Sequence, residues 1–315
     1  MPKALSRQAE YDALTGGCGL VDRSERGKLA LTGGDAKGFL QGQVTNDVES
    51  LSPGEGCYAA FLTNKGKMRG DLRILDRGEE LALDCERIAL QELFNLIRRF
   101  KIGYDVELHK RTLQRGLLSL VGPEARRVAG AEDVPEAEHA HRAGDIAGIP
   151  VQLIATDLGV DVECDAGDTE RLKAALAERG AEPVEEVVAE VVRIESGRPR
   201  YGVELDDSVI PQEAGLNDRA VSFTKGCYVG QETVARLFYR GKPNRHLRGL
   251  RLSAPVGPGA ELRLGEKVVG TLASTVESPR HGPIGLALVR REAEPGATLQ
   301  AGTGGATAEV VELPF

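Results

Sequence analysis

Apolar residues along the chain fall into short alternating runs broken by glycine, with stretches of helical spacing between them. Residues 1–20 predict a lead-in helix followed by the turn Gly16-Gly17-Cys18-Gly19. Residues 27–32 alternate as a strand, and Asp35 is a good N-cap for a short helix that carries Phe39 and Leu40 on its apolar face. Residues 56–63 and 69–76 predict two strands around the hairpin signal Asn64-Lys65-Gly66-Lys67, with another strand at 81–83. The clearest helix covers 87–100, where Leu90, Leu93, Phe94, Ile97 and Phe100 recur on one side and Arg98 and Arg99 suit the C-terminal dipole. Strands are expected at 106–108 and 117–121, a helix start at 122–125, and a polar connection over 130–142. Strands at 149–155 and 159–164 follow, then a helix capped by Asp168 and ended by Gly180, then a second helix over 184–195 stopped by Gly197 and Pro199. From about residue 245 the texture changes to apolar runs at 247–252, 260–264, 267–275, 284–290 and 307–312 between Gly and Pro turns, the pattern of a small antiparallel barrel. No tandem repeat of solenoid period is visible. The class this predicts is an α+β body with a β-rich C-terminal domain.

Composition narrows the function. A chain of 315 residues holds two or three domains, and 41% hydrophobic with 28% charged residues is the balance of a soluble globular protein. The 48 acidic against 40 basic residues give a net charge of -8, which excludes a generic nucleic-acid binder, since phosphate binding rests on positive charge. Aromatics at 4% and no Trp argue against a base-stacking surface. No run approaches the roughly 18 apolar residues of a membrane span, and residues 1–10 lack the apolar core of a signal peptide, so a cytoplasmic protein with no membrane contact is expected. Five scattered cysteines with no Cys-x-x-Cys do not form a disulfide framework and do not encode a local zinc or iron–sulfur site. His139 and His141, in the polar connection, are expected to be surface residues rather than metal ligands. The Gly-Lys pairs lack the following Ser or Thr of a phosphate loop, and no nucleophile elbow occurs.

The most informative stretch is Thr224-Lys225-Gly226-Cys227-Tyr228-Val229-Gly230-Gln231-Glu232. Gly226 and Gly230 allow tight backbone geometry around Cys227, and Lys225 together with a helix N-terminus at Gln231 would lower the thiol pKa. A reactive thiol and a buried structural thiol are both open readings of this spacing. From Lys225 to Arg251 the chain carries Lys225, Arg236, Arg240, Lys242, Arg245, Arg248 and Arg251 against the single acid Glu232. That excess suits an anionic ligand or RNA, or else a solvated face paired with acids elsewhere. Glu195 ends a helix, where a carboxylate opposes the dipole; it could grip the amino-pyrimidine edge of a flat ligand, or pair with Arg193 or Arg198.

Residues 225–232 resemble the Lys-Gly-Cys-Tyr-x-Gly-Gln-Glu signature of the YgfZ group of folate-binding proteins, relatives of the aminomethyltransferase (T-protein) of the glycine cleavage system. The stretches 38–48, 66–72, 193–197 and 210–213 also resemble that family. The resemblance implies an α+β, three-domain ring of the aminomethyltransferase type around a central tetrahydrofolate channel. Its domains would be 1–50 plus 143–242 (folate-binding), 51–142 (ferredoxin-like) and the barrel 243–315. It implies a tetrahydrofolate-binding accessory protein that supports iron–sulfur cluster assembly or repair in client enzymes, tRNA-modifying ones included. A tetrahydrofolate-dependent aminomethyltransferase is the alternative, and an RNA-interaction module using residues 236–251 the second alternative. Carried over residue by residue, Cys227 and Asp71 would be the chemical groups, and Glu195 would contact the pterin. Lys225, Gly226, Tyr228, Gly230, Gln231 and Arg236 would complete the cofactor site, with the basic segment facing the glutamate tail. Expected partners are folate, iron–sulfur client or assembly proteins, and weakly RNA.

Overall fold

A computed structural model describes residues 6–315; residues 1–5, the start of the expected lead-in helix, lie outside the described residues. Ser6 caps α1 (Arg7–Gly16), which buries Glu10, Tyr11 and Leu14. Two sheets and a closed barrel follow from the strand pattern.

The first sheet has the order β11 (Glu182–Pro183), β1 (Gly19–Asp22), β7 (Arg115–Val121), β10 (Gly159–Asp165), β9 (Ile149–Thr156), β8 (His141–Ile146). The second runs β3 (Gly56–Leu62), β4 (Met68–Asp76), β5 (Leu81–Cys85), β2 (Gly27–Thr32), β6 (Glu107–Lys110). The barrel closes through β12 (Arg245–Leu252), β15 (Gly282–Arg290), β14 (Lys267–Ser278), β13 (Glu261–Leu264), β16 (Thr298–Ala301) and β17 (Ala306–Val311), so it leaves no open edge. Its interior is packed with Leu250, Leu262, Leu272, Val289, Leu299 and Val310.

The expected domain boundaries at 50 and 142 do not follow these sheets. β2 pairs with β5 and β6, which draws residues 27–32 into the second sheet, while β7 pairs with β1 and β10, which draws 115–121 into the first. Strand partners are long-range choices that alternation within one strand cannot reveal.

Helices cover the sheets. α2 (Ala36–Gln41) and α3 (Leu90–Phe100) seal the second sheet with Phe39, Leu40, Leu93, Leu96 and Ile97. Phe100, expected on that apolar face, is exposed at the helix end, where Arg99 lies over its ring. α4 (Ala125–Ala129) and α5 (Thr169–Glu178) pack on the first sheet with Val128, Leu172 and Leu176. α6 (Glu186–Glu195) buries Val188, Ala189 and Val192 against α1 and Ile194 against barrel residues Leu247, Ile284 and Leu286. α7 (Asn217–Ala220) and α8 (Gln231–Arg240) pack beside the β3–β4 hairpin through Ala220 and Val234. Asp35 and Asp168 hold the expected N-cap positions, but neither side chain caps its helix. Asp35 instead accepts the Asp105 amide at 2.8 Å and Asp168 pairs with Arg171.

The polar connection expected over 130–142 contains a surprise. His139 and His141 are buried, not on the surface, and 141–146 forms the edge strand β8. The His139 amide donates to Ala155 O at 2.8 Å, and the His141 ring contacts His139 O and Asp76 O at 3.1 and 3.0 Å. At the seam between the sheets, backbone carbonyls thus hold the His141 imidazole, whereas His139 is fixed through its own main chain. No helix among the described residues is long and apolar enough to cross a membrane.

Candidate functional site

A cavity of about 230 Å³ opens where the two sheets face each other and the 198–219 segment crosses them. Most of its charges are answered within the protein. Arg73 on β4 bridges Asp84 at 2.8 Å and Asp161 at 2.7 Å, tying the second sheet to the first. Arg26 adds a 2.6 Å contact to Asp84. Burial alone would raise the Asp84 carboxyl, yet Arg26 and Arg73 hold it well below the usual carboxylate range. Arg198 pairs with Asp157, Arg193 with Glu190 and Glu204, and Arg219 with Glu138.

Two side chains on the wall are different. Asp71, on β4, is buried and its protein hydrogen-bond donor is the Tyr58 hydroxyl from the neighbouring strand β3. Burial lifts its carboxyl to about 6, against the pull of that hydroxyl. Tyr58, itself pushed well above the ordinary tyrosine range by burial, stays a donor. Arg219 lies over the Tyr58 ring at 5.4 Å, and Tyr201 completes this end. The second is His139, whose two ring nitrogens have no hydrogen-bond partner among the described residues.

A second, more open cavity of about 610 Å³ adjoins the first, sharing Val121, Thr156, Asp157, Leu158 and Val192 as common walls. Glu195 lines it, together with Arg126, Arg280 and His281. Glu195 makes neither ion pair considered from the sequence. Its carboxylate accepts from Tyr11 OH at 2.9 and 3.0 Å and from Ser278 OH at 2.5 Å, which ties α1, α6 and the barrel together. Arg280 lies over the Tyr11 ring at 5.6 Å and carries no ion pair among the described residues.

The octapeptide lies elsewhere: none of its residues lines either cavity. The Lys225 ammonium is turned inward and donates to the carbonyls of Gln41, Val44 and Asn46 at 2.5, 2.7 and 2.9 Å. Burial pulls it down to about 8. It is therefore not placed to activate Cys227 or to meet a glutamate tail. The thiol its charge favours is Cys57, where burial wins and lifts the pKa to about 12. Tyr228 is a core residue, packed with Ala60, Leu62, Met68, Leu205 and Leu216. Gly230 begins α8 at φ 86°, and a Cβ there would stand 2.5 Å from Thr63 O. Gly226 meets no such constraint. Cys227 is exposed between them, neither entombed nor at a cavity wall. Gln231 is the first residue of α8, and Arg236 sits on that helix's exposed face near Arg240. Of the basic segment, Arg245 pairs with Glu213 and Arg248 with Glu312, whereas Arg236, Arg240 and Lys242 have no acidic partner among the described residues.

Of the residues expected from the sequence, Asp71 and Glu195 line the adjoining cavities, while Tyr58, His139, Tyr201, Arg219 and Arg280 line them without having been expected there. Only Arg280, a cation at the Arg280-His281-Gly282 hairpin turn, left a local signal.

Two α/β sheets with a cavity between them and a closed six-stranded barrel define the class: a three-part body of the aminomethyltransferase fold. The glycine cleavage system aminomethyltransferase T from Bartonella henselae superposes with a TM-score of 0.87, covering 99% of this chain and 90% of that one at 22% identity. Residues 4–225 match the GCVT N-terminal domain and residues 245–315 the glycine cleavage T-protein C-terminal barrel domain, and the chain belongs to this GCVT family. A chloroplastic protein of Arabidopsis thaliana named a putative transferase is 30% identical over 294 residues, covering 90% of this chain and 67% of its own. A heterotetrameric sarcosine oxidase from Corynebacterium matches 56% of this chain and 94% of its own at 20% identity with a TM-score of 0.40.

Proposed function

We propose that this chain binds tetrahydrofolate or a derivative in the paired cavities and works in the cytoplasm as a YgfZ-type accessory protein. Its task is to support iron–sulfur cluster assembly or repair in client enzymes, tRNA-modifying ones included. The observation that carries the folate reading is Asp71: a buried carboxyl lifted to about 6, answered by one phenol, on a cavity wall where nearly every other charge is paired. Such a group can hold or release a proton near neutrality and take the N–H edge of a flat, polar ring. Membership of the GCVT family supports the same ligand. Bound there, a reduced folate would supply an amine able to carry one carbon. Tyr58 and Tyr201 would flank the ring, and Arg126 and Arg280, in the adjoining cavity, would face the anionic tail assigned from the sequence to Lys225 and Arg236. Glu195, already holding Tyr11 and Ser278, would border the passage between them.

The accessory role is supported by Cys227. An exposed thiol outside both cavities is offered to a protein partner, not to a ligand in the ring. Aminomethyl transfer onto tetrahydrofolate is the second reading, favoured by the near-neutral carboxyl of Asp71. RNA contact through Arg236, Arg240 and Lys242 is favoured by their lack of acidic partners, and opposed by the net charge of -8.

Calorimetric titration of tetrahydrofolate under reductant tests the folate reading that the first two share. The wild type binds, and Asp71→Asn weakens binding by about tenfold, the loss of one hydrogen bond to a charged group. A wild type that takes up no tetrahydrofolate at millimolar concentration removes the folate reading. Asp71-dependent methylene transfer from an aminomethylated carrier protein would put the second reading first.

A further inference from the structure

His139 is prepared for a partner that the protein itself does not provide. It is 8% exposed and lines the cavity between the sheets. Its backbone is pinned on both sides, by Ala155 O on the amide and by the His141 ring on the carbonyl. It holds φ 73°, a left-handed conformation uncommon outside glycine, which histidine, asparagine and aspartate adopt more often than other side chains. Gly56 on β3 makes its seat, since a Cβ there would come within 2.9 Å of His139 Cβ. Yet both ring nitrogens are buried without a hydrogen-bond partner among the described residues, and buried polar atoms are normally satisfied. A strained backbone supporting an unsatisfied ring in a cavity is an arrangement found at ligand sites.

The surroundings choose the tautomer. The Glu138 carboxylate stands 3.5 Å from Nε2, outside hydrogen-bonding geometry but near enough to favour a proton there. Burial, with Arg73 and Arg219 nearby, drives the imidazole down to about 3, so the ring is neutral. A neutral ring protonated at Nε2 presents Nδ1 as an acceptor.

We propose that His139 Nδ1 accepts a hydrogen bond from a ring N–H of the bound pteridine, and so makes the cavity select the reduced ring over the oxidised one. This rests on the folate reading above. In the reduced pteridine the nitrogens of the saturated ring carry hydrogen, whereas in the oxidised ring they are lone-pair acceptors, which would set two acceptors face to face.

The test is calorimetric titration of the full chain with tetrahydrofolate and with folic acid, together with 15N resonances of the His139 ring. The wild type should prefer the reduced ligand by at least about tenfold, one hydrogen bond's worth of discrimination. His139→Phe should bring the two affinities within about threefold by weakening the reduced form. His139→Asn, which tolerates the left-handed backbone but does not reach as far, should do the same if the Phe variant fails to fold. In the wild type the Nδ1 resonance should move on saturation with tetrahydrofolate, a change that a merely structural histidine would not show. A preference kept by both variants, equal binding of the two ligands by the wild type, or a stationary Nδ1 resonance overturns the role of His139 and leaves the folate reading standing. A wild type that binds neither ligand removes both.

Discussion

The octapeptide loop and the cavity between the sheets each bury a titratable side chain, and the protein treats the two in opposite ways. Lys225 is surrounded by three carbonyls, from the last residue of α2 and the turn that follows it, so its donors are all answered and it pegs the loop to the body. Asp71 has one phenol, and His139 has no partner among the described residues. A buried polar group that the fold satisfies serves the fold. One left short is held in place by its neighbours and is open to a ligand. The strongest sequence signal therefore marks a structural peg with an outward thiol, and the buried groups left short of partners lie elsewhere, Asp71 on β4 and His139 just ahead of β8.

The largest effect expected from this contrast is at the peg. Lys225→Met keeps the aliphatic stem and removes all three donors, leaving the carbonyls of Gln41, Val44 and Asn46 short of partners. Losing these bonds is partly offset because the ammonium itself is expensive to bury, as its pKa of about 8 records. A net loss of about 3 kcal/mol is expected in urea unfolding. Tetrahydrofolate affinity of the remaining folded protein should stay within about twofold, because Lys225 lines neither cavity. Unchanged stability with lost binding would reverse the roles of the two regions.

Asp71 should show the opposite signature, and in a defined pH window. Its carboxyl titrates at 3.8 when unfolded and about 6 when folded, so between those values the folded chain keeps a proton that the unfolded chain has released. Its contribution to stability is full below 3.8 and is lost as pH rises through 6. Above that window the buried carboxylate costs on the order of 2–3 kcal/mol relative to the neutral acid. Asn cannot titrate, so the stability of Asp71→Asn relative to wild type should rise by that amount from about pH 4 to about pH 7. Chemical denaturation at several pH values measures it, and a flat difference would mean that the carboxyl is satisfied after all.

Most of the architecture was readable because it is local. β2 coincides with its predicted span, the β3–β4 hairpin follows from its Asn64–Lys67 signal, and the barrel follows from repeated short runs between glycines. What failed was long-range. The pairing of β2 with β5 and of β7 with β10 moved segments between sheets. The strand β8 was missed because its exposed edge reads as polar. His139 and His141 sit in an acidic stretch that looks solvated, and only the meeting of the sheets buries them. Lys225 was visible as a cation but not its direction, and three backbone carbonyls leave no mark on side-chain pattern. Asp71 was found through family likeness, while its partner Tyr58 sits diagonally across the β3–β4 hairpin, a contact set by the bulged register that the turn signal alone does not give.

Cys227 should give the smallest physical effect, which is why it separates the two regions most cleanly. The thiol is exposed, whereas Cys18, Cys85 and Cys164 are buried and Cys57 is half-buried with its pKa lifted to about 12. A thiol reagent such as dithionitrobenzoate should therefore modify one cysteine rapidly in the native protein and none in Cys227→Ser. That variant should unfold within about 0.5 kcal/mol of wild type and bind tetrahydrofolate equally well, since serine at an exposed loop position disturbs no packing. If the loop serves a protein partner, the same variant should nonetheless fail to sustain iron–sulfur enzyme activity in cells. Weakened folate binding in Cys227→Ser would instead bring the thiol into the cavity's work and join the two regions. Sustained enzyme activity would leave the loop as scaffolding, with the peg at Lys225 as its whole purpose.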